Sequence, residues 1–315
     1  MALDAAISIG AESAYGVAAT TTEGYEGQAD SFKAAPEFME SKGFRAGLQT
    51  VRADRRRIVD MGGEGEIELD LLDNGARSLL RAAFDTMATA DDVHTFTTST
   101  DSASPSYTVQ VVRPKVDGGT VPYKHTGAVV TEWELEQEVD SPLKFKATFD
   151  FQTVTHIGPA LPIAYPAEAV AYDWTRATVY LTRGGVETAV PVSKWSAKGS
   201  RGFKTDRRFV RSSALKAKPV RAEMPAYEGE LEVEFDSATL PLYESFVAGA
   251  VLGFRVVYDG VVGASAFELK CPAIQFTGES PEASLDDLSR MTLPFVVLDP
   301  GTLPAVTAIY TEPGD

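Results

Sequence analysis

The chain has 315 residues, 44% of them hydrophobic, and 29 Lys and Arg against 45 Asp and Glu, which gives a formal net charge of −16 at pH 7. This excess of negative charge excludes tight binding of nucleic acid through its phosphates and anchoring on an anionic membrane. Because no apolar run approaches the roughly 18 residues of a membrane span and the first 16 residues do not resemble a signal peptide, we expect synthesis in a cytoplasm and no membrane contact.

The first 38 residues are small, polar and poorly periodic. Such a segment buries little apolar surface by itself, so we expect residues 1–38 to form an extended arm that is mobile or ordered by a neighbouring chain. A cluster of positive charge follows it, and we call it the first basic island. Its members are Lys42, Arg45, Arg52, Arg55, Arg56 and Arg57.

Carboxylates alternate with apolar residues in residues 65–72, and a helical pattern follows. A period of two predicts a β-strand with one acidic and one apolar face. We call each such set of carboxylates an acidic comb. The first comb is Glu66, Glu68 and Asp70.

A second comb lies in residues 129–139, with Trp133 among its alternating apolar residues. The following segment, residues 143–151, alternates in the same way, so the two predict an antiparallel hairpin. The carboxylates of the second comb are Glu132, Glu134, Glu136 and Glu138.

The same order returns after a Pro-rich linker at residues 156–168, with a basic island, a comb, a helical pattern and strands. The second island contains Arg201, Lys204, Arg207 and Arg208. The third comb is Glu230, Glu232 and Glu234. Since Gly229 opens this unit 164 residues after Gly65, we predict an internal repeat of domain size, with repeats at residues 39–160 and 161–300 and a C-terminal tail at residues 301–315.

The sequence offers no chemistry typical of an enzyme. The single cysteine excludes an intrachain disulfide and paired-cysteine metal motifs, and the three histidines have no ligand spacing. A comb spreads its carboxylates along a line, whereas a metal needs ligands that converge. We therefore expect no catalytic residues, metal or cofactor. The combs themselves are either a solvated outer face or, because the basic residues gather elsewhere, a face that carries function.

Several segments in order resemble major tail tube proteins of long-tailed bacteriophages, especially those of actinobacterial hosts. The sharpest is Glu40-Ser-Lys-Gly-Phe-Arg-Ala-Gly. Others are Gly10-Ala-Glu-Ser-Ala-Tyr-Gly, Ser31-Phe-Lys, Asp54-Arg-Arg-Arg, Gly63-Glu-Gly-Glu-Ile-Glu-Leu and Tyr123-Lys-His-Thr-Gly.

The resemblance implies a mainly β fold with two tail-tube-type β-sandwich domains, each flanked by one short helix. Their inner sheets would join into a closed β-barrel around a ring, and stacked rings would form a hollow tube in the virion tail. The three combs would line an acidic lumen through which DNA passes without specific binding. The basic islands would contact neighbouring subunits.

Two repeats per chain favour a trimeric ring with pseudo-sixfold symmetry, and a hexamer is the alternative. The resemblance also implies tape measure, tail terminator and distal tail proteins as partners. Two other functions stay open from the residues. One is a carbohydrate-binding β-sandwich that uses Trp133, Trp174 and Trp195, and the weaker one is a hydrolase.

Overall fold

The computed structural model describes residues 4–43, 45–47, 49–99, 104–278, 280 and 289–313. Within them the protein is mainly β, as predicted, with two α-helices, α1 (Arg77–Ala83) and α2 (Leu240–Val247). The strands of the first half are β1 (Ala6–Ala11), β2 (Thr22–Tyr25), β3 (Gly27–Asp30), β4 (Lys33–Ala34), β5 (Glu37–Glu40), β6 (Arg56–Asp60), β7 (Gly63–Asp70), β8 (Thr86–Ala90), β9 (Val93–Thr97), β10 (Tyr107–Pro114), β11 (Thr120–Glu138), β12 (Lys144–Phe151), β13 (Thr153–Thr155) and β14 (Ile163–Ala164). Those of the second half are β15 (Ala177–Arg183), β16 (Val186–Ala189), β17 (Lys194–Ser200), β18 (Phe203–Lys204), β19 (Val220–Arg221), β20 (Ala226–Glu234), β21 (Leu252–Asp259), β22 (Ala266–Phe276), β23 (Arg290–Val297) and β24 (Thr307–Thr311).

An antiparallel sheet crosses both halves of the chain, and we call it the central sheet. Its order is β7, β12, β11, β17, β20 and β23, with β3 and β4 beyond β7 and the end of β22 beyond β23. The junction between the halves is the pairing of β11 with β17, which runs from Glu132 opposite Ser200 to Glu138 opposite Lys194. Two halves therefore share one sheet.

Strand β11 is long because it serves two layers. Its first part pairs with β10 and β13, and its last part pairs with β12 and β17. Strand β22 has the same arrangement in the second half, since it pairs with β21 and β24 before its end meets β23. The order β7, β12, β11 thus has a counterpart in β20, β23, β22.

The strands that pair with the other parts of β11 and β22, namely β10, β13, β21 and β24, form an outer layer, and the core lies between this layer and the central sheet. Alternation buries one side of each central strand, including Ile67, Phe149 and Leu231, each with no exposed surface. Helix α1 covers part of this core through Leu79 and Leu80, which are fully buried. Burial of large apolar side chains contributes about 1.5–3 kcal/mol each, so this one-sided pattern fixes which face of the sheet points outward.

The N-terminal segment, expected to be an extended arm, is instead paired into the sheets of the first half. Strand β1 pairs with β10 along its whole length, and Ile7 and Ile9 are buried. Strands β3 and β4 extend the central sheet beside β7. The described part of the segment is thus integral to the first half. Its alternation was hidden because Gly, Ala and Ser occupy many of its positions.

The expected C-terminal tail is likewise part of the fold. Strand β24 lies between β22 of the second half and β9 of the first. Tyr310 is buried, and its hydroxyl accepts a hydrogen bond from the backbone N–H of Ala76 at 3.2 Å. The C-terminal segment therefore ties the two halves together.

Candidate functional site: the charged face of the central sheet

The three acidic combs lie on the same exposed face of the central sheet. Each comb occupies alternate positions of β7, β11 or β20, and the residues between them are buried. We call this surface the charged face. The sequence predicted the strands and their two faces, and the fold places all three combs side by side across both halves.

The strands between the combs carry lysines. Strand β12 lies between the first and second combs, and β17 lies between the second and third. The sequence suggested that acidic and basic residues are segregated. For the charged face this prediction is wrong, because separation along the sequence does not show which strands are neighbours in the sheet. The charged face carries twelve carboxylates (Glu64, Glu66, Glu68, Asp70, Glu132, Glu134, Glu136, Glu138, Glu228, Glu230, Glu232, Glu234) and six cations (Lys33, Lys144, Lys146, Lys194, Lys198, Arg290).

Cross-strand ion pairs organise the middle of the charged face. Lys194 Nζ lies 2.6 Å from Glu136 Oε1, and Lys146 Nζ lies 3.9 Å from Glu136 Oε2. The hydrogen bond from Lys194 lowers the pKa of Glu136, and the same bond raises the pKa of Lys194. Pairs of opposite charge on adjacent strands stabilise a sheet by roughly 0.2–1 kcal/mol each.

Carboxylates remain in excess after this pairing. Among the described residues, no cation lies within the 4.0 Å ion-pair distance of Glu66 or Glu132, and both are exposed. The face thus combines local ion pairs with a surplus of six negative charges. Like charges on one face repel, so a sheet selected only for stability would not carry this surplus.

Arg201 does not belong to the predicted contact surface. Its side chain is 1% exposed, and its guanidinium pairs with Asp85 at 2.8 Å and donates to the backbone oxygens of Ala82 and Val130. Arg221 binds the same carboxylate oxygen of Asp85 at 3.0 Å. We correct the prediction accordingly, because a guanidinium held by this cluster inside the chain cannot reach a neighbouring subunit.

The other island residues lie at the surface, where several have partners in their own chain. Arg52 pairs with Asp54 at 2.7 Å, and Arg56 pairs with Glu40 at 3.1 Å. Arg208 pairs with Glu37 at 2.5 Å and also with Asp60. Lys204 lies 3.5 Å from Asp206, and Arg207 donates to the backbone oxygen of Lys218 at 2.7 Å. Lys42, Arg45, Arg55 and Arg57 are exposed.

Strands β5 and β6 form a separate two-stranded sheet that carries much of the first island. Arg208 links it to the loop between β18 and β19 through Glu37. The apolar residues Phe38, Met39, Ile58 and Phe209 are exposed on these segments. This mixture of exposed apolar and charged residues is typical of a protein contact surface, and we call it the hairpin surface.

A half-buried carboxylate, that of Glu12, explains one of the motifs in the N-terminal segment. Glu12 accepts hydrogen bonds from the backbone N–H groups of Gly16 and Gly127 and from the hydroxyls of Ser106 and Thr108, at 2.8–3.0 Å. It thereby joins the end of β1 to β10 and β11. The sequence motif contains Glu12 and Gly16 but gives no sign of the other three partners, which lie 94, 96 and 115 residues away.

The aromatic and histidine residues do not form a second site. Trp133 and Trp195 are buried in the core, which leaves Trp174 as the exposed tryptophan, so they do not form the flat aromatic platform that a sugar site needs. His94 and His125 are also buried. No group of His, Cys, Asp and Glu in the described ranges could hold a metal ion, and no helix found there is long and apolar enough to cross a membrane.

These features define a mainly β protein in which a sheet shared by two halves presents one apolar, buried face and one charged, exposed face. The chain belongs to the phage tail tube protein family, since the family model matches residues 2–297. This confirms the prediction of a phage tail tube protein. Membership implies a structural protein of the virion tail that associates with itself into a tube. A comparison with curated proteins finds no match.

Proposed function

We propose that the chain assembles into rings that stack into the hollow tail tube, with the charged face lining the lumen. The observation that carries this proposal is the geometry of the central sheet. A sheet that is buried on one face and charged on the other can form the wall of a water-filled channel when copies close around an axis. Membership of the family supports assembly into a tube, and the position of the combs supports the proposal that the charged face, rather than another surface, lines the lumen.

The excess of carboxylates suits passage of a genome. Duplex DNA carries one negative charge for about every 1.7 Å of its axis, so a negative wall repels its phosphates and keeps it from adhering. The interleaved lysines have a different role. They pair with Glu136 and Glu228 at 2.6 and 3.0 Å and so hold adjacent strands together without reversing the sign of the face.

Two halves with the same strand order in one chain support a ring of three chains. The repeated strand order gives each half its own part of the charged face, so three chains would supply six such units around the axis. Closure of the sheet would pair the strand edges that an isolated chain leaves open. A ring of six chains is the alternative if only one half of each chain reaches the lumen.

Contacts between rings are assigned to the hairpin surface. Its exposed arginines and apolar side chains would meet the next ring, with Arg45, Arg55, Arg57 and Lys42 as the cations that would pair across the contact. Exposed ion pairs contribute roughly 0.2–1 kcal/mol each, so their main effect would be orientation. Tape measure, tail terminator and distal tail proteins would be the partners at the lumen and at the ends of the tube. The protein would be made in the host cytoplasm before tail assembly.

Electron microscopy of the purified full chain at increasing concentration tests the proposal. We expect rings and tubes, and a density map in which Glu66 and Glu132 face the channel. Monodisperse single chains at all concentrations, or tubes with these glutamates on the outside, would contradict it. The carbohydrate-binding alternative has lost its basis, since two of its three tryptophans are buried.

A further inference from the structure

We propose that Lys216 and Asp150 become joined by an isopeptide bond, an amide between the lysine Nζ and the aspartate Cγ that forms without an enzyme once the chain has folded. Lys216 lies in the loop between β18 and β19 of the second half, and Asp150 lies in β12 of the first. The bond cross-links the two halves and fixes the loop that presents Phe209 on the hairpin surface. This modification lies inside one chain and does not depend on the formation of rings or tubes.

The two side chains form an ion pair in the interior of the protein. Lys216 Nζ contacts Asp150 Oδ1, and the side chains are 6% and 12% exposed. The other lysines that pair with a carboxylate in the described ranges have side chains that are 29–57% exposed. Water, which keeps both groups charged and favours hydrolysis, is therefore excluded from this pair far more than from the others.

The carboxyl group of Asp150 is poorly satisfied as an anion. Its second oxygen, Oδ2, is buried without a hydrogen-bond partner among the described residues, and the same is true of the hydroxyl of Tyr15. A buried ion pair is favourable only when further hydrogen bonds satisfy the remaining lone pairs. Burial raises the pKa of Asp150 to about 6, with help from Asp60 and Glu64, although Lys216 acts in the opposite direction. The neutral carboxyl group, which an amine can attack, is therefore accessible near neutral pH.

A hydrogen bond and close packing hold the lysine in place. Gln152, two residues after Asp150, donates from Nε2 to the backbone oxygen of Lys216 at 2.8 Å. The lysine side chain passes against Gly62, where a Cβ would lie 2.9 Å from Lys216 Cε and 3.0 Å from its Nζ. Well-oriented groups in one molecule react as if present at about 10⁵–10⁸ M, which far exceeds the concentration of liquid water and so favours condensation over hydrolysis.

The condensation balances within the pair. Transfer of one proton from Lys216 Nζ to Asp150 Oδ2 gives a neutral amine and a neutral carboxyl group. The Nζ lone pair then attacks Cγ to form the C–N bond, and the bond between Cγ and Oδ2 breaks. Oδ2 takes a second proton from Nζ and leaves as water, while Oδ1 remains as the amide oxygen. Burial and then the charge of Asp150 raise the pKa of Tyr15, and we assign its hydroxyl as the hydrogen-bond donor to the departing oxygen.

Mass spectrometry of the purified full chain tests for the bond. After denaturation and digestion, we expect a cross-linked peptide that contains both residues and weighs one water, about 18 Da, less than the two separate peptides together. Fragmentation of this peptide should place the loss at Lys216 and Asp150. Peptides with both residues unmodified, from protein that circular dichroism shows to be folded, would overturn the proposal.

Two matched variants replace a paired lysine by arginine and so keep the positive charge. Lys216→Arg should abolish the cross-linked peptide, because a guanidinium stays charged and offers no amine lone pair. Lys194→Arg, at the more exposed pair with Glu136, should retain it. A loss of water that persists in Lys216→Arg would come from another site, such as an aspartyl succinimide, and would overturn the assignment. The wild-type peptide map decides between bond and ion pair even if Lys216→Arg fails to fold.

Discussion

Asp85 and Arg201 form an ion pair inside the protein, with 2.8 Å between Oδ1 and Nη2 and both side chains almost completely buried. Asp85 follows α1, and Arg201 follows β17, so the pair joins the two halves next to their shared sheet junction. Burial lowers the pKa of the Arg201 guanidinium, and Asp85 opposes that effect. The pair therefore adds to the contacts that hold the halves together, and loss of either partner would leave a buried charge without its opposite.

Replacement of Asp85 by Ala should lower the free energy of unfolding by about 3–5 kcal/mol, because it leaves Arg201 and Arg221 buried with their shared carboxylate removed. Urea unfolding followed by circular dichroism measures the change. The control is Asp206→Ala, which breaks an exposed pair with Lys204 and should cost less than about 0.5 kcal/mol. Equal effects of the two variants would show that the buried cluster does not stabilise the fold.

Removal of residues 2–27 should prevent folding of the first half. If these residues were instead a detached arm, the deletion would leave a folded protein that fails to stack. The deletion removes β1 and β2 and with them Ile7 and Ile9. Circular dichroism compared with sedimentation separates the two outcomes. The single change Ile9→Ala should already cost about 2–5 kcal/mol, whereas Val17→Ala at an exposed site should cost less than about 0.5 kcal/mol. A deletion variant with the circular dichroism of the wild type would show that these residues form a detached arm.

Charge reversal on the charged face should affect genome ejection more than assembly. The triple variant Glu132→Lys, Glu134→Lys and Glu136→Lys should still form tubes, while phages that carry it eject DNA poorly because the wall attracts phosphates. Single variants sharpen this test. Glu136→Lys places a cation beside Lys194 and should weaken the sheet, whereas Glu132→Lys has no close cation to repel. Normal ejection with intact tubes would contradict the lumen assignment.

Protonation of His125 should make the protein less stable in mild acid. His125 packs against Phe32 and Phe151, and burial lowers its pKa to about 4. In the unfolded chain a histidine takes up a proton near pH 6.5, so the folded state loses stability as the pH falls from about 6.5 to about 4.

This pH effect amounts to about 3 kcal/mol between pH 7 and pH 4, since each tenfold difference in proton affinity is worth about 1.36 kcal/mol. The measurement is urea unfolding across that range for the wild type and for His125→Gln, which should lack this part of the slope. His156→Gln, at an exposed position, should keep the wild-type slope. Identical slopes for all three proteins would exclude His125 as the cause.

The sequence by itself determined the mainly β class, the strands with their acidic and apolar faces, and the family. These depend on local alternation and on short motifs, both of which can be seen along the chain. Alternation fixed the sides of Glu66, Glu132 and Glu230 because successive side chains of a strand point to opposite faces. It also placed Trp133 in the core.

Only the tertiary structure decided which strands are neighbours. Lys146 lies between two combs and Arg201 lies in the core because sheet pairing and core packing join residues that are far apart in sequence. Residues 6–34 lacked clear alternation, yet β10 and β7 supply the partners that turn them into strands. Local periodicity gives each strand two faces, but the burial of apolar area shared between distant strands selects the neighbours, and that selection forms the charged face.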